Sequence, residues 1–273
     1  MSYPIQLPKT EPVLTITHPT PISWVIELHY GTDNRLAERV LREGLTPALD
    51  IVERDWREST AKARKAGDKQ AGHGSLVIVG KRDQEKFFSN GFPYEDIVKK
   101  SWYIHTFFNP IIARLLTYPI PTVCAMNGHT FAAGFLIAMA CDYRVMSAGR
   151  AWASMNEIHF GAPMPRAFAA LFRAKSPSPA VTRKIFLEGH RFVPQEMLAL
   201  GLVDEVVEGG TEKVLEAALA LGAKWAPNAK TNVWGLQKRE IYLETLKAVH
   251  EKPHQMMPAE EADLFVDSLR ARL

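Results

Sequence analysis

The apolar and polar stretches of the chain alternate in a way that predicts a mixed α/β protein. Apolar runs of about five residues, bounded by glycine, proline or charged residues, are typical of buried strands. Such runs lie at 13–17, 23–28, 75–80, 122–126, 142–146 and 202–207. Apolar positions at helical spacing predict helices at 35–52 with a charged continuation to 69, and at 94–116, 132–140, 166–173, 178–187, 194–200 and from 211 onward. Strand and helix therefore alternate over the first two thirds of the chain, and the last third is mostly helical.

The stretch from Tyr118 to Pro163 joins a buried strand, a turn of small residues and a helix that is apolar on every side. A helix without a polar face is expected inside a core, and its first N–H groups have no acceptor within the helix. Gly128, Ala132, Ala133 and Gly134 leave room for a ligand oxygen there, and the helix dipole favours negative charge. The sequence therefore predicts a binding site for a polarised oxygen at this helix N-terminus.

Composition and charge are those of an ordinary globular protein. The chain has 273 residues, of which 47% are hydrophobic, and its 33 basic and 30 acidic residues give a net charge of only +3. This charge gives no reason to expect nucleic acid or an anionic membrane as a partner. No apolar run is long enough to span a bilayer, and residues 1–12 lack the apolar region of a secretory signal, so we expect neither secretion nor membrane insertion. Cys124 and Cys141 lie in apolar stretches, which predicts free thiols in a reducing compartment.

The last three residues, Ala271, Arg272 and Leu273, follow the pattern of a small residue, a basic residue and leucine. Ser-Lys-Leu is the familiar form of this peroxisomal address, so the triplet predicts recognition by a peroxisomal import receptor. The alternative is the frayed end of an amphipathic helix in a cytoplasmic protein.

Four segments occur in a characteristic order: FFSNGF at 87–92, PTVCAMNGHTFAAGFLIAMACDYRV at 121–145, SMNEIHFG at 154–161 and EMLALGLVDEVV at 196–207. Together they resemble the crotonase (enoyl-CoA hydratase/isomerase) superfamily, especially its plant and fungal peroxisomal enoyl-CoA isomerase-like branch, from about residue 22 to about residue 208. The resemblance implies a ClpP/crotonase-like spiral of β-β-α units over 1–208, followed by a helical trimerisation region over 209–273. It also implies a homotrimer or a dimer of trimers.

The same resemblance implies a site for an acyl-CoA thioester, without a metal or redox cofactor. In the family, two backbone N–H groups that follow motif glycines hold the thioester carbonyl; carried over here, they are those of Phe92 and Phe135. Two such donors stabilise an enolate more than its neutral precursor. The residues expected to contact the substrate around them are Phe88, Asn90, Gly91, Ile97, Ala133 and Gly134.

Glu157 is the predicted catalytic base, because it lies in the segment where the family carries a catalytic glutamate. Family hydratases use a second, earlier glutamate, and that position is matched here to Ala138. Moving a double bond requires one base that takes a proton from C2 and returns it at C4, whereas hydration requires two acid/base groups. Apolar neighbours should raise the pKa of Glu157. The structural alternative is a carboxylate that caps a strand or pairs with Arg144 or Arg166.

Three further features qualify this interpretation. Pro93 replaces the aspartate that the family usually has two residues after the first motif glycine, which predicts a different loop. His159 would lie on the same side as Glu157 if the strand continued through it. His250 and His254 have the spacing of the zinc-protease signature, but Pro253 should interrupt the helix that such a site requires.

The sequence thus predicts a Δ3-Δ2-enoyl-CoA isomerase. Hydration, or another crotonase-type reaction on a CoA thioester including one in secondary metabolism, is the enzymatic alternative. A CoA-thioester-binding trimer in which Glu157 is structural is the non-enzymatic alternative.

Overall fold

A computed structural model describes residues 1–100, 102–252 and 254–272, and its largest element is a seven-stranded sheet. In chain order the strands of the protein are β1 (Ile5–Leu7), β2 (Leu14–Thr20), β3 (Ser23–Leu28), β4 (Ser75–Val79), β5 (Phe87–Ser89), β6 (Thr122–Met126), β7 (His129–Phe131), β8 (Tyr143–Ser147), β9 (Ala153–Ser154) and β10 (Glu205–Val207). The large sheet has the order β1-β2-β3-β4-β6-β8-β10. Its first two pairings are antiparallel and the other four are parallel.

The other three strands form a small parallel sheet with the order β5-β7-β9. Each of these strands follows a strand of the large sheet after a short connection, and a helical segment comes next. Three successive units of strand, strand and helix therefore wind around the core, which is the predicted α/β spiral.

The helices connect the strands and make up the described chain after β10. They are α1 (Thr46–Lys65), α2 (Tyr94–Lys99), α3 (Asn109–Leu116), α4 (Ala133–Ala140), α5 (Arg166–Lys175), α6 (Pro179–Phe186), α7 (Pro194–Ala199), α8 (Gly210–Trp225), α9 (Trp234–Ile241), α10 (Leu243–His250) and α11 (Pro258–Arg270). Wider π-type turns at Val40–Leu45 and Ile104–Phe108 lead into α1 and α3, and 3₁₀ turns lie at Glu157–Phe160 and Ala226–Thr231.

The core confirms the expectation for the apolar helix. Every residue of α4 is buried, and Cys124 and Cys141 are free and buried beside it. A second apolar cluster fills the space between the large sheet and α8, where Val214 and Ala218 pack with Val123. The first helix after residue 208 therefore shares a core with the sheet; the division into two domains at that residue stays a prediction.

Some predicted elements differ from the structure. The predicted helix 94–116 is broken into α2, a π-type turn and α3, and the small sheet was not predicted. No helix in the described ranges combines the length and the apolar character needed to cross a membrane. Pro253 and Leu273, on which the interrupted zinc motif and the import triplet depend, lie outside the described residues.

Candidate active site

The small sheet brings three functional segments to one edge. Its strands are parallel neighbours, so their carboxyl ends lie side by side. Phe92 follows the end of β5, Ala133 follows β7, and Glu157 follows β9, each within three residues of its strand. The predicted base and both donor loops therefore leave neighbouring strands in the same direction.

The first donor loop, residues 90–92, turns at Gly91, which has φ = 74°. This left-handed conformation suits glycine and turns the next peptide out of the strand ladder. The Phe92 N–H donates to no protein acceptor in the described chain, as expected for a donor that serves a ligand. The Phe92 ring is buried against Tyr103 and Phe108, with ring centres 5.6 and 4.7 Å away. The aromatic packing fixes the residue while its backbone stays free to donate.

The second donor loop, residues 132–134, requires a correction to the sequence prediction. The Phe135 N–H donates to the Ala132 carbonyl at 2.9 Å, and the Leu136 N–H donates to the same oxygen at 3.2 Å. The Phe135 N–H is thus occupied by the first turn of α4, and its ring packs on Phe172. The Ala133 and Gly134 N–H groups donate to no acceptor within the described residues, and of these two nitrogens that of Ala133 is the one that faces the first donor loop, 3.3 Å from a methyl group built at Gly91. Ala133, predicted only as a substrate contact, is the better candidate for the second donor.

Ala132 sets the direction of that donor. It has φ = 50° and ψ = −122°, a conformation that a residue with a side chain rarely adopts. The Ala132 N–H donates to the Ser154 carbonyl at 2.9 Å, which continues the pairing of β7 with β9. The strained Ala132 is therefore held by a hydrogen bond to β9, the strand that precedes Glu157.

The two donor loops are in direct contact. A methyl group added at Gly91 would lie 2.7 Å from the Ala132 side chain and 3.3 Å from the Ala133 nitrogen. Only a residue without a side chain allows this approach. The Phe92 and Ala133 N–H groups consequently belong to adjoining backbone segments, as a site that holds one oxygen between two donors requires.

Glu157 begins the 3₁₀ turn that follows β9. Its Oε2 atom is buried and has no hydrogen-bond partner in the described chain. Burial raises the pKa of Glu157 to about 7, although a hydrogen bond from its own backbone opposes this shift. The 3₁₀ turn also contacts the helix that follows the first donor loop. Phe160 packs edge-on against Tyr94, the first residue of α2, with ring centres 5.5 Å apart.

The proposed ion-pair alternatives for Glu157 are absent from the described contacts. Arg144 donates to the carbonyls of Leu202 and Cys141, and Arg166 pairs with Glu251. No strand N–H donates to this carboxylate in the described contacts, and its Oε2 has no partner there. The structural alternatives named for Glu157 are therefore not realised.

His159 is not placed beside the carboxylate as a continued strand would require. Residues two apart in a 3₁₀ turn point about 120° away from each other, because this helix has 3 residues per turn. His159 is exposed, and its ring lies against the backbone of Gly189. Pro93 acts as the N-cap residue of α2, so the loop after Phe92 leads directly into a short helix.

The remaining predicted substrate residues have different surroundings. Phe88 is fully buried, and Asn90 is tied to Asp33 through its main-chain and side-chain amides. Gly134 makes room for Ser89 rather than for a ligand, because an added methyl group would lie 2.8 Å from the Ser89 carbonyl oxygen. Ile97 is half-buried against the core. The substrate contacts predicted for these side chains stay predictions.

Potential metal ligands do not cluster in the part of the chain that the structure describes: it has no group of three or more His, Cys, Asp or Glu side chains suited to a metal ion. α10 ends at His250, and His254 instead contacts Glu260. The two histidines of the zinc-protease spacing therefore do not share one helix.

Comparisons with known proteins identify the family of the chain. The family described as "Enoyl-CoA hydratase/isomerase" matches residues 61–266. The chain is 33% identical over 188 residues to Arabidopsis thaliana "Enoyl-CoA delta isomerase 3", covering 66% of this chain and 78% of the relative. It is 35% identical over 166 residues to Arabidopsis thaliana "Enoyl-CoA delta isomerase 2, peroxisomal", covering 58% and 68%.

Solved structures share the fold at lower sequence identity. An enoyl-CoA isomerase from Mycobacterium tuberculosis superposes with a TM-score of 0.72 at 22% identity, over 87% of this chain and 94% of that one. A hydratase/isomerase family protein from Pseudomonas syringae gives a TM-score of 0.71 at 23% identity, over 88% and 96%. With the profile match over most of its length, the chain belongs to the enoyl-CoA hydratase/isomerase family, within the crotonase superfamily and on its isomerase-like branch.

Proposed function

We propose that this protein is a Δ3-Δ2-enoyl-CoA isomerase that uses Glu157 as its only proton shuttle. The observation that carries the proposal is the buried, unpartnered Oε2 of Glu157 at the same sheet edge as two free backbone N–H groups. A buried carboxylate oxygen without a partner is costly for folding, so it is expected where function requires it.

The reaction would begin when the thioester carbonyl accepts hydrogen bonds from the Phe92 and Ala133 N–H groups. Glu157 then removes a proton from C2 of a 3-enoyl thioester, and the electron pair moves onto the carbonyl oxygen to form an enolate. The donors bind this oxygen more strongly as it gains charge, and one such donor is typically worth about 10²- to 10³-fold in rate. The protonated Glu157 returns the proton at C4, and the double bond ends between C2 and C3.

The environment of Glu157 suits both halves of this cycle. A carboxylic acid with a pKa of about 7 is present in comparable amounts as base and as acid near neutral pH. It can therefore accept the C2 proton and release it at C4 without a second residue.

The apolar surroundings of α4 favour isomerisation over hydration. Every side chain from Ala133 to Ala140 is apolar and buried, including Ala138, the position matched to the second hydratase glutamate. This helix offers no second acid to activate water or to complete a hydration.

The decisive experiment compares the wild type, Glu157→Gln and Glu58→Gln with a 3-enoyl-CoA and with a 2-enoyl-CoA. Formation of the conjugated thioester reports isomerisation, and its loss reports hydration. Glu58→Gln is the matched control, because Glu58 is an exposed residue of α1. Glu157→Gln should lower isomerisation by about 10²- to 10⁴-fold, the range for loss of a general base, and Glu58→Gln should not change it.

Other outcomes contradict the proposal. Dominant hydration by the wild type would require a second acid that we have not identified. Tight acyl-CoA binding without exchange of the C2 proton in heavy water would indicate a CoA-thioester-binding protein instead.

Location and assembly form a separate part of the proposal. The names of two Arabidopsis relatives include the word peroxisomal, which supports a peroxisomal location for this protein. Loss of peroxisomal import on removal of residues 271–273 would test the terminal triplet. Light scattering of the purified protein would test the predicted trimer.

A further inference from the structure

We propose that Arg35 is a positioning residue that holds the first donor loop, together with Asp33 and the backbone of Leu36. This inference rests on the proposed function, because it assigns Arg35 a role through the Phe92 N–H. The segment 33–36 runs alongside residues 90–92 and contacts them at each end. The side-chain hydrogen bonds and the ion pair described for Arg35 are made only with Phe92 and Asp33.

The backbone of Leu36 acts on the donor peptide itself. The Gly91 carbonyl and the Phe92 N–H belong to one planar peptide group. The Leu36 N–H donates to the Gly91 oxygen at 2.8 Å, which fixes the plane of this peptide. Donation to the carbonyl also polarises the peptide, and this strengthens its N–H as a donor.

Arg35 holds the next peptide along the chain. Its Nη1 donates to the Phe92 carbonyl at 2.8 Å, and its Nε donates to Asp33 Oδ2 at 2.8 Å. The guanidinium is planar, so two contacts from one side chain fix its direction. The loop is therefore held on both sides of the Phe92 N–H, by Leu36 before it and by Arg35 after it.

Asp33 closes the arrangement. Its Oδ2 also accepts from the Asn90 side chain at 2.9 Å, and its carbonyl accepts from the Asn90 N–H at 2.9 Å. The carboxylate balances the charge of Arg35, and the remaining described hydrogen bond of this guanidinium goes to the loop backbone. We therefore assign Arg35 a geometric role. It also supplies a cross-link for a loop in which Pro93 replaces the aspartate of the family pattern.

The experiment compares Arg35→Gln and Arg35→Lys with Arg39→Gln. Arg39 is the matched control: it also donates to main-chain carbonyls, those of Thr10 and Glu11, but it does not contact the donor loop. Steady-state rates with a 3-enoyl-CoA give kcat and KM separately. Absorbance of bound acetoacetyl-CoA, a 3-keto thioester, reports the fraction held as enolate.

Loss of a hydrogen bond from a charged donor should lower kcat of Arg35→Gln by about tenfold with little change in KM, and should lower the bound enolate fraction. Arg35→Lys should show a smaller loss in the same direction, because one ammonium group cannot reproduce the planar fork. Arg39→Gln should match the wild type. If Arg35→Gln does not fold, Arg35→Lys carries the same test.

Two results would overturn the inference while the proposed isomerase stands. One is an unchanged kcat and enolate fraction in both Arg35 variants. The other is a raised KM at unchanged kcat, which would make Arg35 a binding residue for the CoA portion. Conversely, a wild type that does not isomerise but holds acetoacetyl-CoA as an enolate in an Arg35-dependent manner would reject the reaction and retain the positioning role.

Discussion

The two donor loops present equivalent N–H groups but are supported in different ways. In each, the carbonyl of the donor peptide accepts a hydrogen bond that fixes the peptide plane. For the Phe92 donor this bond comes from Leu36, more than fifty residues earlier in the chain; for the Ala133 donor it comes from Phe135 and Leu136, in the same helix turn. The plane of the first donor peptide therefore depends on a long-range contact, whereas the plane of the second is fixed within its own helix turn. Remote substitutions should disturb the first loop more than the second.

The largest loss of activity is expected for Gly91→Ala, which disrupts the contact between the two donor loops. The added methyl group would meet the Ala132 side chain at 2.7 Å in a left-handed backbone, so the Phe92 N–H must move. We expect kcat to fall by about 10²- to 10³-fold, as for loss of an oxyanion donor. Gly67→Ala is the control, because Gly67 has a similar φ of 72° with nothing within 4 Å of an added methyl group. Equal activity losses in the two variants would refute the contact argument.

The next prediction concerns the pH dependence of kcat/KM, which should be the same in variants of either donor loop. Glu157 must be ionised to accept a proton, and its pKa is raised to about 7. Below this pH, kcat/KM should fall about tenfold per unit, and above it the value should level off. Variants of either donor loop should lower the plateau without moving the inflection. If kcat/KM does not change between pH 5 and 8, Glu157 is not the catalytic base.

A smaller loss is expected for Gly134→Ala, which tests the second loop. The methyl group would meet Ser89 at 2.8 Å and push α4 away from β5. We expect about tenfold lower kcat, because a small displacement of a donor weakens transition-state binding. Gly222→Ala is the control. Gly222 lies in α8, away from the site, and a methyl group there would lie 2.9 Å from the Ser75 side chain. Comparable kcat losses in both variants, measured alongside chemical unfolding, would point to a global effect on stability.

The smallest effect is expected for Asp33→Asn, which weakens the remote support of the first loop. The amide oxygen of asparagine can still accept both hydrogen bonds, but it accepts them more weakly because it no longer balances the charge of Arg35. A decrease in kcat of about threefold corresponds to roughly half of a typical net hydrogen-bond energy. Glu11→Gln, at the exposed partner of Arg39, provides the control. If Glu11→Gln lowers kcat as much as Asp33→Asn does, the first donor loop does not depend specifically on Asp33.

Much of the fold was predictable because the central strands of the large sheet, β4 and β6, are nearly continuous apolar runs. The strand predicted at 122–126 matches β6, the apolar helix is α4, and the chain order of the motifs indicated the spiral. The small sheet escaped prediction for a physical reason. Its strands have only two or three residues, too few for a periodic pattern to emerge.

For the candidate site, the sequence predicted which segments would come together, but it did not predict their individual hydrogen bonds. Gly91 and Phe92 were identifiable because an Asn-Gly pair favours a left-handed turn. The second donor was misassigned to Phe135 because the sequence does not reveal that Ala132 is left-handed or that its carbonyl captures the Phe135 N–H. Arg35 and Asp33 were missed because their partners lie more than fifty residues away, and no local pattern marks such a contact.

The placement of the three functional segments after β5, β7 and β9 has a consequence for how new activities arise. Each segment lies at the end of its own turn of the spiral, and the short ladder between the turns aligns them. Insertions or exchanges in one connecting segment can therefore alter the proton-transfer group while the other two keep their register. We therefore expect that this fold can change one segment at a time. A new acid or base could be grafted after β9 in the laboratory without rebuilding the core.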